Sequence, residues 1–163
     1  MELQFQDVTL SSKAKLEKYI KPWQSENAEF GFAHIYMWGG DGKIQYAEAE
    51  GFLFLKLHFP GEALFFWPPF PADETVQKNY ARGMALACQY MEETGWKPLF
   101  RSVSAPFVDW IKEQCPQMQF AEKRENFDYI YTSEAMITLK GKKLHGKRNH
   151  INKLKKEHPD FQY

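Results

Sequence analysis

Between Lys140 and Lys156 the chain carries seven Lys, one Arg and two His, and not one acidic side chain. Gly141 and Gly146-Lys147 stand in that run at the spacing of a phosphate-binding loop, G-x-x-x-x-G-K. In such a loop the backbone N–H groups cradle phosphates, the lysine reaches them, and a following Ser or Thr holds Mg²⁺. Here the following residue is Arg148. The preceding AMITLK makes a poor buried strand, and no apolar strand ending in Asp supplies the second metal-side carboxylate. The segment is therefore not read as the loop of a nucleotide hydrolase.

A helix over 142–157 gives the charges a better account. At about 100° per residue, Leu144, Ile151 and Leu154 fall within roughly 80° of one another. They form a narrow apolar stripe expected to dock on a sheet. Arg148 and Lys155 project beside the stripe, and Lys143, Lys147 and His150 border its other edge. Lys142, Lys153 and Lys156 point to solvent. A row of cations at the rim of a packed surface suits a phosphate-rich ligand. The rest of the chain offers another partner: residues 1–139 carry 13 Lys+Arg against 19 Asp+Glu. Ligand binding and pairing with those carboxylates both stay open on charge alone.

Other candidates carry less chemistry. His145 and His150 are about 140° apart on a helix, so they cannot chelate one metal from a shared face and no metal site is expected. His34 and His58 lie in apolar surroundings and are expected to be hydrogen-bonded structural residues. Cys88 and Cys115 fit no metal or redox spacing, which predicts reduced, buried thiols in a cytoplasmic protein. Glu48, Glu50 and Glu62 flank central strands, but a catalytic carboxylate pair needs geometry that spacing does not supply. No Ser/His/Asp or Cys/His arrangement is arguable. In FFWPPFPADE, residues 65–74, a strand-to-helix turn stands where one common sheet architecture binds a pyrophosphate through free backbone N–H groups. Pro68, Pro69 and Pro71 have no N–H, and Asp73 and Glu74 repel an anion. This turn is expected to bind neither coenzyme A nor a nucleotide.

The elements that position these residues follow from periodicity. With 163 residues, 44% hydrophobic and 17% aromatic, the chain can build a substantial core. No apolar run reaches about 18 residues, so no spanning helix is predicted, and MELQFQDVTL lacks the parts of a secretion signal. Leu3 and Phe5 could start an edge strand. A helix capped at Ser11 or Ser12 stops at Pro22, and residues 28–38 form a second short helix. KIQYAEAE, GFLFLKLHF and ALFFWP are strands, the last two joined through Pro60-Gly61 as antiparallel neighbours. Residues 72–94 are one long helix, with Val76, Tyr80, Met84, Ala87 and Met91 on one face. PLFRSVS is a strand, Ala105–Gln114 a helix, FDYIYT a strand at 127–132, and 141–157 the closing helix. The connections at 39–43 and 60–62 are too short for crossovers, so the sheet is mixed and mainly antiparallel, flanked by helices, in an α+β fold. Phe161-Gln162-Tyr163 has the alternation of a strand cut short.

The run SEAMITLKGKKLHGKRNHINKLKKEHPDF carries a resemblance, strongest from Leu139 to Lys155 and supported by DYIYTSEAM and WPPF at 67–70. It resembles a bacterial family of unknown function grouped with the C-terminal domain of phosphatidylglycerol lysyltransferase. The resemblance implies a tandem GNAT fold, two acetyltransferase-like units in a chain about twice this long, with the acyl-donor site in the second. Residues 1–139 would be a degenerate GNAT-like domain with no donor site. Residues 140–163 would be a basic helix and strand start leading to a second GNAT-like domain. In related aminoacyl-transferases the donor is an aminoacyl-tRNA and the acceptor a lipid head group or peptidoglycan precursor. By that analogy Lys147, Arg148, Asn149 and Lys155 would line an anionic-substrate cleft. No cofactor belongs to this chain itself; acyl-CoA or aminoacyl-tRNA would serve the longer protein, and this half alone would be inactive. The other reading is a non-enzymatic RNA- or anion-binding module.

Overall fold

In the computed structural model, which describes residues 3–23, 25, 27–127 and 129–162, Glu50 and Gly51 have φ of 48° and 81°. Two left-handed residues in succession make the kind of two-residue turn whose twist matches a pair of antiparallel strands. On either side run β2 (Ile44–Ala49) and β3 (Phe52–Leu57), paired from Ala49↔Phe52 out to Ile44↔Leu57. β1 (Gln6–Asp7) pairs with β2. On the other edge of β3 lie β4 (Phe65–Phe66) and β5 (Phe70–Pro71), both antiparallel to it. Trp67, Pro68 and Pro69 separate these two short strands. Trp67 still donates its N–H to Leu55 O at 3.2 Å, but the prolines have nothing to donate, so the ladder breaks there.

Alternation along β3 sends successive side chains to opposite faces, and both faces are buried. Phe52 and Phe54 pack with Phe66 against Tyr80, Met84, Ala87 and Met91 of α4 (Tyr80–Glu93) and Ile111 of α5 (Ala105–Gln114). Leu53, Leu55 and Leu57 pack with Ile44 and Trp67 against Leu16, Tyr19 and Ile20 of α1 (Lys13–Ile20) and Ile35 of α2 (Phe32–Trp38). The result is a sheet between two helical layers: the expected α+β, GNAT-like class, with a mainly antiparallel sheet. The approach of α4 to the sheet is close enough that a Cβ at Gly83 would lie 3.0 Å from the Phe52 ring.

Four expected elements differ in detail. The helix expected over 72–94 is two helices, α3 (Glu74–Gln77) and α4, because Asn79, at φ −102° and ψ 27°, leaves the helical basin between them. PLFRSVS contributes a single bridge, Phe100 running parallel to Phe66. It is held by Phe66 N–H to Leu99 O at 2.9 Å and Arg101 N–H to Phe66 O at 3.0 Å. FDYIYT forms no strand among the described residues; Asp128 lies outside them. At the chain's end, Phe161 donates its N–H to His158 O in a turn rather than starting a strand, and Tyr163 lies outside the described residues.

The chain divides into two compact units between Ala121 and Glu122. The first holds the sheet and α1–α5. The second holds α6 (Ser133–Thr138), a 3₁₀ turn at Lys142–Leu144, and α7 (His145–Glu157). Among the described residues no helix is long and apolar enough to cross a membrane.

Candidate functional site

The basic segment is built on a corner between α6 and α7. Thr132 caps α6 by accepting from the Ala135 N–H at 3.2 Å. The helix ends at Leu139, which is left-handed at φ 48° and ψ 30° and donates its N–H to Ala135 O. A left-handed leucine costs about 1–2 kcal/mol. Gly141 follows at φ 91°, where glycine has no such cost. These turns bring two carbonyls within reach of one side chain. Arg148 Nη1 donates to Leu139 O and, at 3.0 Å, to Gly141 O. Arg148 sits in the first turn of α7, where the helix dipole disfavours a cation. Two carbonyl acceptors offset that.

His145 is drawn into the same cluster, with Nδ1 3.5 Å from Arg148 Nη2 and Nε2 3.1 Å from the Asn149 side-chain amide. The shorter of these contacts is made by the Asn149 amide nitrogen, Nδ2, which donates to the ring.

The four residues named from the sequence have unlike surroundings. Arg148 is half-buried and Asn149 is exposed beside His145. Lys147 and Lys155 are exposed. Among the described residues only Lys153 of the basic run forms an ion pair, with Glu157 at 3.7 Å. Of the stripe, Leu144 is buried, but Ile151 and Leu154 are 41% and 43% exposed. The stripe expected to dock is thus covered only at its amino-terminal end. Lys155 and Lys156 occupy the last turn, the favourable end of the dipole. Sequence reasoning missed the Arg148 clamp. Its signal was present: a glycine that can turn, followed seven residues later by an arginine long enough to reach back.

In the first unit, each carboxylate singled out from the sequence has its own cation. Glu48 meets Lys15 at 2.8 Å, Glu50 meets Arg82 at 2.6 Å, and Glu62 meets Arg101 at 2.6 Å. Hydrogen bonding to Arg82 holds Glu50 below the ordinary carboxylate range. Burial pushes Glu48 the other way, but the hydrogen bonds from Lys15 and Tyr19, with the lysine charges, bring it below that range too. Tyr19 is itself pushed up to about 12 by burial and by Glu48. Ion pairs of this kind are structural. His34 and His58 lie against tryptophan rings, Trp38 at 6.1 Å and Trp96 at 5.0 Å. Neither ring forms a hydrogen bond among the described residues, contrary to expectation. Cys115 is buried and Cys88 partly so, both unpaired. Burial pushes the Cys88 thiol up to about 11, with Glu92 adding to it, and raises Cys115 as well. Neither is set up as a nucleophile.

At the Pro-rich turn, Asp73 Oδ1 accepts from the N–H groups of Thr75 and Val76 at 2.8 and 2.9 Å. The first free amides of α3 are occupied by the protein's own carboxylate. Among the described residues no three His, Cys, Asp or Glu converge on a metal-sized site.

A family model described as the C-terminal part of phosphatidylglycerol lysyltransferase matches residues 20–163, a span that includes β2 to β5, the Pro-rich turn and the Arg148 corner. The chain belongs to that family. No curated protein matches it. As a member of the phosphatidylglycerol lysyltransferase C-terminal family it is similar in fold to a crystal structure of a conserved protein of unknown function from Bacteroides thetaiotaomicron. The two superpose with a TM-score of 0.81 at 24% identity. The match covers 98% of this chain and 52% of the other, so the chain spans about half the length of that relative.

Proposed function

We propose that this chain is the N-terminal half of a GNAT-like acyl- or aminoacyl-transferase related to phosphatidylglycerol lysyltransferase, and that its basic helix lines a cleft for an anionic substrate. The family match over residues 20–163 carries the reading. The half-length likeness to a solved fold supports it. A second GNAT-like domain in the longer protein holds the acyl-CoA or aminoacyl-tRNA donor. This half contributes cations: Lys147 and Lys155 as exposed charges, Asn149 through its amide, and Arg148 through the donors its backbone clamp leaves free. The protein works in the cytoplasm, where Cys88 and Cys115 stay reduced.

No donor site belongs to this half. At the Pro-rich turn the anion position is filled by Asp73, and Pro68, Pro69 and Pro71 lack an N–H. The test is transfer from acetyl-CoA and from aminoacyl-tRNA, assayed with the 163-residue chain and with the complete gene product. Turnover is expected only from the complete product. Robust transfer by the 163 residues alone would overturn the reading.

The other reading, an RNA- or anion-binding module without catalysis, is favoured by one observation: the run 140–156 has eight Lys+Arg and no carboxylate. Binding of tRNA by the 163-residue chain, followed from about 50 to 200 mM salt, should weaken by orders of magnitude if several phosphates are neutralised. A formed site depends on Arg148 and Lys155. If Arg148→Ala and Lys155→Ala leave binding unchanged while Lys142→Ala with Lys153→Ala abolishes it, the contact is a loose solvent-face one and the cleft is wrong.

A further inference from the structure

Five of the six side chains of β3 are buried and apolar; the sixth, Lys56, is half-buried between Gln45 of β2 and Phe66 of β4. Directly opposed residues share a face of the sheet, and this is the face that α4 covers. Lys56 Nζ donates to Tyr90 Oη of α4 at 3.2 Å. It lies 4.3 Å from the centre of the Phe5 ring and 5.4 Å from that of Tyr90. The rings hold one another. Phe5 is 4.8 Å from Tyr90 and 5.7 Å from Phe66, and Phe66 is 5.9 Å from Tyr90, centre to centre. Every residue of this recess belongs to the first unit. It shares no residue with the cleft proposed above.

A cation drawn this far out of water is ordinarily matched by a carboxylate. Lys15, Lys21, Lys43, Arg82, Arg101 and Lys112 of the first unit each have one at 3.6 Å or less. Lys56 has none among the described residues. Asp7, two strands away in register, accepts from Gln45 Nε2 at 2.7 Å instead. The ring faces attract the ammonium but leave its remaining hydrogen bonds unmade. An ammonium has three N–H donors, and one of them goes to Tyr90. Having accepted it, the phenol has its own hydrogen to give, and no described residue takes it. The recess thus gathers donors and no acceptor. We propose that Lys56 and Tyr90 form a binding site for a small oxyanion, a carboxylate or a phosphate group. Nζ and Oη are close enough for one oxygen, at ordinary hydrogen-bond length from each, to accept from both. Both bonds join an ionised acceptor, the stronger kind. The surrounding rings keep them less screened than they are at an open surface. Lys56 supplies the charge and Tyr90 fixes the position.

Side-chain NMR of the 163-residue chain tests this. Inorganic phosphate and acetate are titrated separately at fixed ionic strength, with chloride as the reference. The Lys56 methylene signals next to Nζ and the Tyr90 ring signals should shift together and saturate with at least one of the two. Saturation by phosphate alone, or by acetate alone, supports the site and names the group it takes. Shifts that rise linearly and match those in chloride would overturn the proposal, since the effect would then be screening only. Tyr90→Phe keeps the ring and its packing and removes only the hydroxyl. Affinity should fall by about tenfold or more, as for other hydrogen bonds to charged groups; an unchanged affinity would count against a shared oxygen. Lys56→Met keeps the length of the stem and should abolish the saturable shift. An internal partner is the remaining outcome. If, with no anion added, the Lys56 signal follows the titration of a chain carboxylate between about pH 3 and 6, the acceptor is already in the protein and the proposal fails.

Discussion

Arg148 shows how one side chain can hold a backbone shape that the local sequence does not favour. Leu139 is left-handed without being glycine, and its carbonyl is one of the two that Arg148 binds. Arg148→Ala should loosen the corner by about 1–3 kcal/mol, the usual worth of hydrogen bonds from a charged donor. The measurement is amide exchange at Leu139, whose N–H caps α6. Arg148→Lys should rescue it poorly, since an ammonium does not reproduce the guanidinium's fixed fork. Tyr80 is the opposite case. It is fully buried among Phe107, Trp110 and Phe52, and its hydroxyl has no hydrogen-bond partner among the described residues. Burial, with a smaller contribution from Cys115, raises its pKa well above the ordinary value. Tyr80→Phe removes an uncompensated polar group and should stabilise by about 1 kcal/mol in urea unfolding. Glu50 sets a pH dependence. Its folded-state pKa is lowered by Arg82, so its contribution is present above the unfolded carboxylate value and is lost as pH falls through the folded one. Glu50→Gln should therefore flatten part of the acid limb of stability against pH, leaving the neutral-to-alkaline side unchanged in slope.

Among the elements, the hairpin β2–β3 is the one whose turn tolerates least. Gly51 is left-handed at φ 81°, and a Cβ there would meet Val76 Cγ2 at 2.8 Å. Gly51→Ala combines backbone strain with a clash and should cost about 2 kcal/mol or more, read as a lower urea midpoint at constant slope. β2, β3 and the apolar face of α4 were legible in the sequence because each repeats one local rule several times over. Val76 to Met91 keeps helical spacing throughout, yet the break at Asn79 escaped, since one residue leaving the helical basin does not disturb the pattern around it. FDYIYT has the alternation of a strand, and Phe127 and Thr132 have extended backbone, but strand pairing is a property of two segments. Its lack of a partner could not be read from its own residues. The Pro-rich turn was legible for the converse reason: a missing N–H is a property of the residue itself.

At the scale of the molecule, both core clusters lie in the first unit, with no member beyond Met118. A chain ended at Ala121 should still unfold cooperatively, with a melting temperature within a few degrees of the 163-residue chain; loss of the cooperative transition would show that residues 122–163 hold the sheet together. The class of fold was legible from the order of strands and helices. The candidate site was legible as a concentration of charge but not as a shape, because the reach of Arg148 depends on two turned carbonyls that composition does not report. Asp73 carries one last implication. Its carboxylate is tethered to the very amides it binds, so any dissolved phosphate would have to displace an intramolecular partner that is always at hand. The turn has, in effect, a permanent resident. Reopening it to a visiting nucleotide would take removal of that tenant before any gain of new contacts.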